Sequence, residues 1–113
     1  MSLDVYLMVT QPVEVYSENI THNLNSMAAE CVFEDGLTLY DVLWRPDEHE
    51  LEYAGDIIEY LTKGLDELVS NPDLYKKFNP ENGWGTYEGL VRFVDNYLKA
   101  CLDHPAATLE VSR

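Results

Sequence analysis

Leu3-Asp4-Val5-Tyr6-Leu7-Met8-Val9 carries the pattern that decides the fold. Leu3, Val5, Leu7 and Val9 fall on every second residue with Asp4, Tyr6 and Met8 between them, which is the period of a strand that buries one face. After Gln11-Pro12 the alternation resumes, with Val13 and Val15 against Glu14 and Tyr16, and the two runs predict a hairpin. At the far end, beyond Pro105, Ala107, Leu109 and Val111 alternate with Thr108, Glu110 and Ser112 and predict a third strand returning to the sheet.

Between the strands the period lengthens. Ile20, Leu24, Met27, Ala28 and Cys31 recur at spacings of three and four and predict a first helix, with Ser17, Asn19 or Thr21 to cap it. Asp35-Gly36 interrupts the chain. Leu37, Tyr40, Val42 and Leu43 then predict a turn or short helix, followed by a loop from Trp44-Arg45-Pro46, because a residue before proline is pushed out of helical geometry. Ala54, Ile57, Ile58, Leu61, Leu65, Leu68 and Val69 form the cleanest stripe, stopped by Asn71-Pro72. A last helix from Thr86 to Leu102 carries Tyr87, Leu90, Val91, Val94, Tyr97, Leu98 and Cys101 on one face, with Gly85 or Thr86 as its cap. The order predicts a single α+β domain over residues 1–113: a small antiparallel sheet, made of the N-terminal hairpin and the C-terminal strand, covered by about three helices on one face.

Composition narrows the function. At 113 residues the chain suits one core, and 46% hydrophobic and 12% aromatic content belongs to a folded domain rather than an acidic tail. With 21 acidic and 7 basic side chains the net charge is −14, which repels phosphate backbones and anionic membranes and favours basic partners. Direct nucleic-acid binding is not expected. Residues 1–44 contain Asp4, Glu14, Glu18, Glu30, Glu34, Asp35 and Asp41 with no Lys or Arg, so a basic partner should prefer that part; later residues offer local pairs such as Glu59 with Lys63. No apolar run reaches the roughly 20 residues of a membrane span and no signal-peptide pattern opens the chain, so a cytoplasmic protein is expected. Cys31 and Cys101 lie on apolar stripes and are read as buried thiols.

Three segments combine polar and aromatic residues where helix packing does not require them: Thr21-His22-Asn23, Trp44-Arg45-Pro46 and Asn82 to Glu88. Each lies at the end of an element or in a connection, where binding residues concentrate. Gathered at one end of the sheet they would make a pocket. Trp44, Trp84 and Tyr87 would stack on a planar ring, Arg45 would clamp a carboxylate or phosphate, and Asn23, Asn82 or Glu88 would read a base or sugar edge, with His22 and Thr86 beside them. The same residues have plainer uses. Asn82-Gly83 is a common turn, Gly85-Thr86 a common helix start, His22 a capping residue, and both tryptophans can serve as core lids.

Asp47-Glu48-His49-Glu50-Leu51-Glu52 is rich in oxygen but lacks the glycine and alternating ligands of a calcium loop, and His22, His49 and His104 are too scattered for zinc. No metal or other cofactor is expected. Nothing resembles a nucleophile paired with a histidine, a nucleophile elbow or a phosphate loop, so a non-enzymatic protein is expected.

Ile20-Thr21-His22-Asn23-Leu24, Leu43-Trp44-Arg45-Pro46, Asn79-Pro80-Glu81-Asn82-Gly83-Trp84-Gly85-Thr86-Tyr87-Glu88 and the closing Val111-Ser112-Arg113 together resemble a family of small phage and bacterial proteins of uncharacterised activity. The resemblance implies a context, not catalytic residues. Proteins of phage-like origin often interfere with host defences, in the host cytoplasm, by sequestering a nucleotide signal or blocking a nucleic-acid-handling enzyme. Two functions are therefore expected as alternatives. One is a pocket for a small nucleotide-like molecule, acting in counter-defence by sequestration. The other is an acidic inhibitor that mimics nucleic-acid charge and occupies the groove of a basic host protein. A homodimer through an edge strand is compatible with either.

Overall fold

A computed structural model of the chain describes residues 2–9 and 13–113. The opening alternation forms β1 (Ser2–Met8), which pairs antiparallel with β2 (Glu14–Thr21) on one side and with β3 (Thr108–Ser112) on the other. β1 is thus the central strand, and its Leu3, Val5 and Leu7 are fully buried. Gln11-Pro12, where the hairpin was expected to turn, lies outside the described residues; the Val9 N–H donates to the Val13 carbonyl at 3.2 Å.

The inward alternation of the second strand differs from the sequence reading. The register shifts between Leu7 and Met8, so Tyr16 rather than Val15 stands opposite Leu7, and Val13 is 50% exposed. Such a shift moves the inward set by one residue. Tyr16 then stacks on Tyr97 at 5.9 Å. The opposite sheet face carries half-buried Asp4, Tyr6 and Met8 flanked by exposed Ser17, Asn19, Glu110 and Ser112.

Ile20 also belongs to β2 and not to the first helix. It faces Leu3 across the ladder, 7% exposed, because a β-branched side chain at an inward strand position completes the core as well as a helical one would. Ser17 and Asn19 are strand residues as well, standing opposite Tyr6 and Asp4 in the same ladder. The chain leaves the sheet at Thr21, whose hydroxyl accepts from the Asn23 N–H at 3.3 Å, and makes a 3-10 turn over His22–Leu24 before α1 (Asn25–Ala29). α2 (Leu39–Trp44) starts on a reciprocal cap. The Thr38 N–H donates to Asp41 at 2.9 Å, and the Asp41 N–H to the Thr38 hydroxyl at 3.2 Å. Residues expected as loop after Pro46 form a second 3-10 turn, Pro46–His49.

α3 (Ala54–Ser70) and α5 (Tyr87–Asp103) are the two long helices and pack on each other. Ala54, Ile57, Leu61 and Leu68 of α3 are fully buried, as are Leu90, Val94 and Cys101 of α5. Burying each large aliphatic side chain is worth about 1.5–3 kcal/mol, so these stripes dominate helix stability over propensity. Val69 closes the α3 stripe at 57% exposure, and Phe93, absent from the expected α5 face, is 3% exposed. Asn71-Pro72 ends α3 as expected. Proline is equally suited to the first helical position, and a further short helix, α4 (Pro72–Lys76), starts there. The α+β architecture is as expected, with five α-helices among the described residues where about three were read.

Candidate functional site

Ser2 stands opposite Thr21 in the ladder, so the start of β1 and the end of β2 finish side by side. The connection from α4 to α5 comes to rest on that end. Asn82 Oδ1 accepts from the Trp84 N–H at 2.9 Å, and Gly83 and Gly85 both take positive φ, +76° and +99°. At Gly85 a side chain is excluded twice over. A Cβ there would lie 2.7 Å from the Thr21 methyl and 3.0 Å from Leu24 Cγ. Backbone pressed onto Thr21 and Leu24 thereby sets Trp84 beside His22 and Asn23.

The result is a groove of about 560 Å³ lined by Ser2, Asn19, Thr21, His22, Asn23, Asn82 and Trp84. The Trp84 ring is 69% exposed, the largest exposure among the exposed bulky hydrophobics of the described residues. Among the described residues no Asp, Glu, Lys or Arg lines the groove, although the protein carries −14. Trp44 lies behind His22 with its ring edge-on at 6.2 Å and stacks on Tyr40 at 5.5 Å. It is 3% exposed, and its Nε1, like His22 Nε2, is buried without a hydrogen-bond partner.

Two of the three motif segments therefore meet in the groove, through His22 and Asn23 and through Asn82 and Trp84. The third reaches it only from behind. Trp44 is a core residue that packs on His22, and its carbonyl accepts from Arg113 at 2.9 Å, which ties the chain end to the same region. Arg45 does not line the groove: its guanidinium donates to Glu48 at 2.9 Å and to the Tyr40 hydroxyl at 3.3 Å. These contacts raise the Arg45 pKa further above its ordinary value, the Tyr40 hydrogen bond most and the Glu48 bond next. Arg45 is thus corrected from ligand clamp to surface partner of its own turn.

The remaining expected site residues are also placed elsewhere. Thr86 caps α5, its hydroxyl accepting from the Gly89 N–H at 3.0 Å. Tyr87 is a core residue that donates to the Leu68 carbonyl at 2.5 Å and receives Asn79 Oδ1 on its N–H at 2.8 Å. Burial raises the Tyr87 hydroxyl pKa, with the Glu88 charge adding to it. Glu88 is exposed and lies 3.7 Å from Lys76. Helical geometry explains Tyr87, since a residue on the inner face of α5 cannot also serve a groove beyond its N-terminus, whereas Thr86 lines a neighbouring hollow with Asn19 and Thr21. Ser2 and Asn19 were missed. Their signal existed only in the strand register, which sets Ser2 opposite Thr21 and sends Asn19 to the open face.

The lining can stack a flat ring and exchange hydrogen bonds through amides and hydroxyls. It offers no assembled acid–base or nucleophilic pair, since His22 Nε2 is buried and makes no hydrogen bond to Ser2. Among the described residues no group of three or more His, Cys, Asp or Glu is placed to hold a metal ion, and no helix is long and apolar enough to cross a membrane. Comparisons with protein-family models, with curated proteins and with solved structures find no match to this chain.

Proposed function

We propose that the protein is a non-enzymatic binding protein whose groove takes the flat heteroaromatic end of a small nucleotide-like molecule. The observation that carries this reading is the exposed Trp84 ring, held by a glycine-dependent turn above an uncharged row of Asn19, Thr21, Asn23 and Asn82. An exposed indole on a structured turn costs solvation that a lone solubilising surface would avoid, and amides supply both donors and acceptors for a base edge. In a phage-like context, sequestration of such a molecule would serve counter-defence.

The acidic-inhibitor alternative has less support, because several carboxylates of residues 1–44 have internal tasks. Asp41 caps α2, Asp35 accepts from the Leu37 N–H at 3.0 Å and from the Tyr60 hydroxyl, and Glu18 accepts from the Tyr16 hydroxyl at 2.8 Å. Native mass spectrometry of the protein purified from expressing cells, followed by denaturation, tests the groove. One small molecule per chain is expected, and it should be absent from the Trp84→Ala variant. Retention unchanged in that variant, or a bare protein whose Trp84 indole resonance no nucleoside moves, would remove the groove as a binding site.

A further inference from the structure

Arg92 carries an observation that the groove leaves unused. Of the seven Lys and Arg side chains, Arg45, Lys63, Lys76, Lys99 and Arg113 each pair with a carboxylate. The other two, Lys77 and Arg92, make neither an ion pair nor a side-chain hydrogen bond among the described residues, and of these two Arg92 stands beside the groove. It lines a second hollow of about 300 Å³, with Glu18, Asn19, Thr21, Gly85 and Gly89 among the walls. Asn19 and Thr21 line the Trp84 groove as well, so the two hollows share a wall.

We propose that Arg92 binds the anionic arm of the ligand whose ring stacks on Trp84, which makes the ligand class a nucleoside 5′-phosphate or a close analogue. This rests on the groove reading above. The geometry agrees with the chemistry at three points. Arg92 stands six residues beyond Thr86, about 9 Å along the axis at ~1.5 Å per residue, and helical side chains lean toward the N-terminus, here toward the groove. Gly89, one turn before Arg92 on the wall of the hollow, carries no side chain, and only the Thr86 hydroxyl lies within 4 Å of where a Cβ would stand, so an arm meets a hydroxyl rather than an apolar side chain on its way to the guanidinium. A free guanidinium also presents the planar fork that matches a phosphate.

Glu18 is the opposing charge in this hollow. Its Oε2 already accepts from the Tyr16 hydroxyl at 2.8 Å and from Asn96 Nδ2 at 3.4 Å, and it forms no ion pair with Arg92. The wider −14 field slows an anion's approach, but at physiological salt it is screened beyond about 8 Å, and contact hydrogen bonds decide the affinity.

The test is NMR titration of the full chain with the four common nucleosides, their 5′-monophosphates and inorganic phosphate, read at the Trp84 Nε1–H and Arg92 Nε–H signals. At least one nucleoside should move the Trp84 signal, and its monophosphate should bind roughly tenfold tighter or more, the worth of a charge-assisted hydrogen bond. Arg92→Gln, a change at an exposed position, should bring the monophosphate to the level of the nucleoside and leave the nucleoside unchanged. Glu18→Gln should tighten the monophosphate alone. A monophosphate no tighter than its nucleoside, or a gap that survives Arg92→Gln, overturns the role of Arg92 while the groove stands. If no nucleoside moves Trp84, the groove reading falls too, and a response of Arg92 to inorganic phosphate would then mark a separate anion contact.

Discussion

Replacing Gly85 with alanine should damage both the fold and the groove, and the size of the damage can be worked from contacts. An L-residue at φ +99° costs about 1–2 kcal/mol of backbone strain. The new Cβ would also meet the Thr21 methyl at 2.7 Å and Leu24 Cγ at 3.0 Å. Leu24 is 1% exposed, so it has little room to yield, and overpacking of this kind costs a further ~1–3 kcal/mol. Gly83→Ala is the internal control. Its φ is +76° but nothing lies within 4 Å of the added Cβ, so only the strain of about 1–2 kcal/mol should appear. Urea unfolding of both variants measures the difference directly. Thr21→Ser in the Gly85→Ala background removes the clashing methyl while keeping the hydroxyl that caps His22–Leu24, and should restore part of the loss as a coupling in a double-mutant cycle. Equal destabilisation by Gly83→Ala and Gly85→Ala, with no recovery on Thr21→Ser, would refute the claim that the close approach at Gly85 seats the Trp84 turn.

Other consequences can be checked separately. Trp84→Ala should change unfolding free energy by no more than about 0.5 kcal/mol, because its ring is 69% exposed, while removing ligand retention. Trp44→Phe should leave fluorescence dominated by the solvent-exposed Trp84, shifted to the red, and its stability cost should be softened because the unpartnered buried Nε1–H is removed with the ring. Burial pushes the Cys31 thiol up to about 11 and the Cys101 thiol up to about 12, so neither should react with a thiol reagent at pH 8 until the protein unfolds. The Arg113 hydrogen bond holds the Asp47 carboxyl below its ordinary value, so the unfolded chain binds the proton more readily and this contribution is whole above the unfolded-state pKa, near 4. It is lost as pH falls through the lower folded value, and Arg113→Gln should return the Asp47 titration, followed by NMR, toward ordinary carboxylates.

The readings that held are those with many repeats of one period. Seven residues of alternation in β1 and four to five turns of stripe in α3 and α5 average over local exceptions, so strand, strand, long helix, long helix and closing strand were legible. The short elements were not. α1, α2 and α4 have five or six residues each, less than two turns; α1 was read within a longer helix that began at Ile20, α2 as a turn or short helix, and α4 not at all. Ile20 was read on the wrong side of a boundary because its spacing from Leu24 fits a helix while its spacing from Glu18 and Tyr16 fits a strand. Pairing with Leu3 decided between them.

The site divided along the same line. Sequence by itself determined that Thr21-His22-Asn23 and Asn82-Gly83-Trp84 end elements with exposed polar and aromatic groups, since capping and turn chemistry are local and act within a few residues. It could not tell which residues of Trp44-Arg45 and Thr86-Tyr87-Glu88 face a ligand, because neighbours on a helix point in directions that only packing assigns. Tertiary structure sent Trp44 and Tyr87 into the core and Arg45 to Glu48, and it brought Ser2 and Asn19 into the groove through a ladder that joins residues far apart in the chain. Arg92 illustrates the difference most plainly. In the sequence it is one base among acids, and only the folded arrangement shows that it forms no ion pair among the described residues and that it stands beside the groove.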